Sequence, residues 1–224
     1  MKALWGMMVV DGRGKLGGHV LSKNRSGAYA RTKVTPVNPQ TSYQQTARNR
    51  LTSFSQGWRA LTQAQIAAWN AAVSAFATSN IFANIVNPTG KNLYTKLNIN
   101  LETVAQAPIT DPPLPSGAGT VTAGTVVAVN GGAKSVVHTG DTAGHSIQVW
   151  ATEGVSPGKL FVKNKFRLVD FFAGGAASPH VFTGKYNAKF GQPPVGTRVA
   201  VRLVSINNTT GEASVASEAS VIVT

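Results

Sequence analysis

The chain has 224 residues, enough for one large domain or two small ones. Hydrophobic residues make up 42%, so it can bury a core and falls outside the disordered class. A net charge of +13 favours an acidic partner, and the absence of cysteine excludes disulfide frameworks and thiolate metal sites.

The first residues, Lys2 and then the apolar stretch 3–10, imitate a signal peptide but lack its small-x-small cleavage pattern. They read as a short apolar strand, and without cysteine the simplest setting is the cytoplasm. No apolar run approaches a membrane span, so no membrane partner is expected. Charge then gathers early: residues 1–50 hold nine basic side chains against Asp11 alone, a net +8. Within this arm residues 20–22 and 28–34 read as two strands of a hairpin around an Asn24-Arg25-Ser26-Gly27 turn. Tyr29, Arg31 and Lys33 alternate with Ala28, Ala30, Thr32 and Val34, which predicts one basic face and one small apolar face. Pro36 and Pro39 force an extended stretch after it.

Thr41-Ser42-Tyr43-Gln44 carries a capping-box pattern. Ala47, Leu51, Phe54, Trp58 and Leu61 follow at helical spacing. Thr62 to Gln65 repeats the cap, and Ile66, Trp69, Val73 and Phe76 make a second stripe. The short join predicts a helical hairpin with Trp58 and Trp69 near its seam. A third helix is expected over residues 89–104, with Leu93, Leu97, Leu101 and Val104 inward. Four prolines within residues 107–115 then predict a stiff linker that separates the two halves mechanically. Beyond it come short β runs at 120–122, 125–129, 135–138, 146–152, 166–172, 180–186, 198–206 and 213–223, with no helix signal. The expected fold is therefore α+β: a basic hairpin arm (residues 1–40), a helical domain (41–106), the linker (107–116) and an immunoglobulin- or fibronectin-like β-sandwich (117–224).

Two motifs imitate active sites. Gly12-Arg13-Gly14-Lys15-Leu16-Gly17 fits the dinucleotide fingerprint, which also needs a following helix and an acid about twenty residues on. The residues after it read as β, and no acid appears between Asp11 and Glu102. Gly154-Val155-Ser156-Pro157-Gly158 fits the nucleophile elbow, with Asp170 and His180 in triad order. Yet the residue after the serine must donate an oxyanion-hole N–H, and Pro157 has none. His19, His138, His145 and His180 lack zinc spacing, and the few acids lack calcium spacing. No catalytic, metal or cofactor residue is assigned, and no enzyme is expected.

What remains is the arm. Arg13, Lys15, Lys23, Arg25, Tyr29, Arg31, Lys33, Arg48 and Arg50 are the candidate partner-binding residues. They would meet either an acidic protein surface or nucleic acid, whose phosphates and bases suit Lys, Arg and Tyr.

Gly14-Lys15-Leu16-Gly17, then Tyr29-Ala30-Arg31, then Asn38-Pro39-Gln40-Thr41, and the stretch from Leu61 to Trp69 together carry a resemblance. The opening resembles that of uncharacterised proteins from bacteriophages and prophage-bearing bacterial genomes, over residues 14–69 and loosely over 88–101. The resemblance implies no catalytic residue. It implies a virion structural protein, expected at the head as a decoration, cement or portal-vertex component, assembled in the host cytoplasm. Its expected partners are acidic surfaces of capsid or portal subunits, and it is expected as a homo-oligomer or in multiple copies. The alternatives are a nucleic-acid-binding protein that uses the same arm, and a surface or carbohydrate-binding module built on the sandwich.

Overall fold

The computed structural model describes residues 12–24, 27–79, 85–140 and 142–224 of a mixed α+β chain with antiparallel sheets. It divides into two compact units, Met1–Gln45 and Thr46–Thr224. Arg25, the centre of the expected turn and the apolar opening stretch lie outside the described residues.

The first unit holds a three-stranded antiparallel sheet in the order β1 (Gly14–Leu16), β2 (His19–Asn24), β3 (Gly27–Thr32). A hairpin of two strands was expected from the sequence, and the third strand is a correction. The Gly17-Gly18 turn lets the glycine-rich segment fold back on β2, with Gly17 at φ 56°. The amide of Lys33 closes the far end by donating to the Gly18 carbonyl at 2.8 Å. None of the side chains described in this unit is buried.

The second unit opens with helices. In α1 (Ser42–Ala60) only Phe54 is buried. The full capping box at Thr62 starts α2 (Gln63–Ala72), and a short 3₁₀ turn (Val73–Phe76) follows. Two short paired strands, β4 (Thr78–Ser79) and β5 (Ile85–Val86), precede α3 (Gly90–Thr103). Thr89 caps α3 by accepting from the Asn92 amide at 3.3 Å. The helical core contains Phe54, Trp69, Leu93, Tyr94 and Leu97. Tyr94 is its hub: its ring centre lies 5.6 Å from that of Trp58 and 5.4 Å from that of Trp69. The expected seam between the tryptophans is thus occupied by a residue of the third helix. Trp58 is only half-buried, and Leu51 is 54% exposed where the stripe places it inward. The stripe therefore outruns its cover at Leu51.

The proline-rich stretch does not hang free. Asn98, fully buried on α3, offers its Oδ1 to the Ile109 amide (2.7 Å) and its Nδ2 to the Ile109 carbonyl (3.1 Å). Trp69 Nε1 donates to the Thr110 carbonyl at 2.8 Å, and Gln65 binds the Asp111 carboxylate. Glu212 then receives the amides of Ser116 and Gly117. The mechanical separation expected of residues 107–116 is corrected here: proline stiffness is present, but side-chain amides fasten the strip down.

Seven further strands follow: β6 (Thr122–Ala128), β7 (Lys134–Thr139), β8 (His145–Ala151), β9 (Arg167–Ala173), β10 (His180–Val181), β11 (Arg198–Asn207) and β12 (Ser217–Ile222). They form two antiparallel sheets, in the orders β10-β7-β6 and β12-β11-β8-β9. Val126 and Val136 from one sheet share a buried cluster with Ile147, Val149, Val201 and Leu203 from the other. The two expected runs at 120–129 merge into one strand, β6, with a register shift between Ala123 and Val126. Residues 180–186 are not the expected strand. After β10 the chain enters α4 (Thr183–Phe190), because Phe182, Tyr186 and Phe190 recur at four-residue spacing and pack on the core. Helix α3 meets the β part where Asn100 Nδ2 donates to the Gly211 carbonyl at 2.8 Å. Gly211 sits at φ 73°, and a Cβ there would stand 2.4 Å from the Leu97 carbonyl oxygen, so only glycine permits this approach.

Candidate functional site

The register of the N-terminal sheet decides which basic residues share a face. Lys15 of β1 lies opposite Val20 of β2, which lies opposite Arg31 of β3. Residues directly opposite in an antiparallel sheet point the same way, so this row carries Lys15 and Arg31 on one face. At a strand spacing of about 4.8 Å, the two cations stand roughly 10 Å apart across Val20. The neighbouring row on that face pairs Ser22 with Tyr29. By the same alternation Lys33, just past β3, follows Arg31. Lys15, Arg31 and Lys33 are exposed, while Tyr29 and Val20 are half-buried. Arg13 immediately precedes β1 and is exposed.

The opposite face bears Leu16, Leu21, Ala28, Ala30 and Thr32, together with His19 and Lys23. Leu16 is 68% exposed. Leu21, Ala28 and Ala30 are half-buried. Lys23 therefore leaves the candidate face and joins the apolar one. The signal for the missed third strand was the Gly17-Gly18 pair between short alternating runs, a two-residue hairpin signature.

Arg48 and Arg50 belong to the other unit. Arg50 is occupied within the molecule: its Nε lies 3.1 Å from Glu102 Oε1. Arg48 is exposed on α1.

The two imitation motifs take definite shapes. Residues 14–16 of the glycine-rich run are a strand, and another strand follows the turn where the fingerprint needs a helix. Ser156 lies in a turn, its carbonyl accepting from the Lys159 amide, and the next element is β9. The strand–turn–helix geometry of the elbow is not formed. Asp170 and His180 do meet, with Nε2 to Oδ2 at 3.1 Å. Asp170 also receives the Lys185 ammonium and the Phe171 amide, and the His180 ring stacks on Phe172 at 4.3 Å. That arrangement links strands from the two sheets, β9 and β10, with α4. Among the described residues no group of three or more His, Cys, Asp or Glu side chains is placed to hold a metal, and no helix is long and apolar enough to cross a membrane.

Comparison with protein-family models, with curated proteins and with solved structures finds no match to this chain.

Proposed function

We propose that this chain is a bacteriophage virion structural protein that docks on neighbouring subunits of the head through its basic N-terminal sheet. The observation that carries the reading is the open face bearing Lys15, Arg31 and Lys33 on a sheet with no buried side chain among those described. Such a sheet gains its missing layer, and its charge a counterpart, on an acidic protein surface. The phage-like opening at residues 14–41 supports the virion setting.

In the same reading, residues 117–224 are an immunoglobulin- or fibronectin-like sandwich that packs laterally or projects from the particle. Its strand order supports this. The first, second and fifth strands after the proline-rich stretch form one sheet, and the third, fourth, sixth and seventh form the other. Immunoglobulin-like folds pair strands A, B and E against C′, C, F and G in that way.

Mass spectrometry of purified particles from the phage that encodes the chain tests the assignment. The chain is expected among the structural proteins, retained after nuclease treatment. Its absence from intact particles that are made while it is expressed would refute the virion role.

A further inference from the structure

We infer that the partner of the N-terminal sheet is a different protein that brings its own carboxylates, and not a second copy of this chain. The inference rests on the docking role proposed above and on how the chain uses its own acids. Six of its eight carboxylates lie among the described residues, the others being Asp11 and Asp141. All six make contacts within the chain. Glu102 pairs with Arg50, Glu153 with Lys165, Glu218 with Arg202, and Asp170 with both His180 and Lys185. Asp111 accepts from Gln65 and Thr110, and Glu212 accepts from the amides of Ser116 and Gly117 and from the Thr210 hydroxyl.

The basic sheet of another copy would therefore have to share a carboxylate that already holds a partner within its own chain, and so meet a charge already partly neutralised. Lys15, Arg31 and Lys33, by contrast, make no ion pair with any described carboxylate. With a net charge of +13, two copies also repel, and more strongly as salt is lowered.

The face itself favours protein over nucleic acid. Val20 stands between Lys15 and Arg31, and the reverse side offers Leu16 and Leu21. A phosphate backbone has nothing apolar to cover these, whereas a protein surface supplies both apolar groups and carboxylates. Multiple copies in a particle would then arise because the partner repeats, not because this chain self-associates.

The test uses the full chain and its Lys15→Glu, Arg31→Glu, Lys33→Glu variant, whose folding is checked by an unchanged thermal transition. Sedimentation velocity is run at about 20 mM and about 500 mM salt, where screening lengths differ several-fold. Fluorescent poly-L-glutamate and a short DNA duplex serve as probes. A monomer at low salt is expected, with poly-L-glutamate binding that weakens at least about tenfold in the variant and falls away as salt rises. A low-salt oligomer that dissolves at high salt and vanishes in the variant would overturn the inference. Tighter binding to the duplex than to poly-L-glutamate at physiological salt would overturn it in favour of nucleic acid. A monomer whose poly-L-glutamate binding is unchanged by the substitutions would instead remove the sheet as the docking face, and the proposed function with it.

Discussion

Trp69 has no exposed surface, and its indole N–H is satisfied by the Thr110 carbonyl. Replacing it removes a large buried ring and orphans that carbonyl, so Trp69→Ala is expected to cost about 3–5 kcal/mol in urea unfolding. Trp58 touches the same Tyr94 from a half-buried position, and its loss should cost roughly half as much. Equal losses at the two sites would contradict the unequal burial. Tyr186 supplies a pH signature. Its ring is fully buried, its hydroxyl donates to the Thr152 carbonyl at 2.9 Å, and burial pushes its pKa up to about 12 from the ordinary 10.0. The folded state then holds a proton that the unfolded state gives up, so this contribution is complete below pH 10.0 and is lost as pH rises towards 12. Tyr186→Phe is expected to be less stable than the parent by about 1 kcal/mol at neutral pH. The gap should close and then reverse as the pH approaches 12, because phenylalanine has no proton to lose. A gap that stays constant across that window would mean the hydroxyl titrates alike in both states.

At the scale of elements, Asn98, Trp69 and Gln65 hold the proline-rich strip to the helices. Asn98→Ala leaves both polar groups of the Ile109 peptide without their partner and should cost about 2–4 kcal/mol. Proteolysis within residues 107–116 should rise in parallel. A variant with lowered stability but an unchanged cleavage pattern would show that the strip is held by something else. The helices themselves were legible: two caps and three apolar stripes sit at regular spacing, and Leu93, Leu97, Leu101 and Val104 are buried as that spacing requires. Asn98 was not legible, because a buried asparagine on the inward side of a helix looks like any polar interruption of the stripe. Helix α4 was hidden by β-favouring neighbours, although Phe182, Tyr186 and Phe190 carried the four-residue period. On the candidate face, the alternation of Tyr29, Arg31 and Lys33 could be read directly. The placing of Lys15 and Arg31 in one row could not, since it depends on strand register, which one strand's own sequence does not fix.

For the molecule as a whole, charge and topology divide the work. The second unit builds its core from helices and antiparallel sheets, and its described acids make internal contacts. The first unit keeps its cations outward on a sheet none of whose described side chains is buried. Limited proteolysis of the isolated chain should therefore cut within residues 12–40 well before residues 46–104. Protection of the first stretch equal to that of the second would mean the sheet already has its cover. In the proposed function this face joins the chain to a particle. Its most direct test is incorporation of the Arg13→Glu, Lys15→Glu, Arg31→Glu, Lys33→Glu variant into assembling virions. Single exposed ion pairs are worth roughly 0–1 kcal/mol each, so one reversal should be tolerated and four together should not. A folded variant that remains in the soluble fraction and is missing from purified particles is the expected result. Normal incorporation of that variant, alongside submicromolar, salt-steep DNA binding by the parent chain, would contradict it.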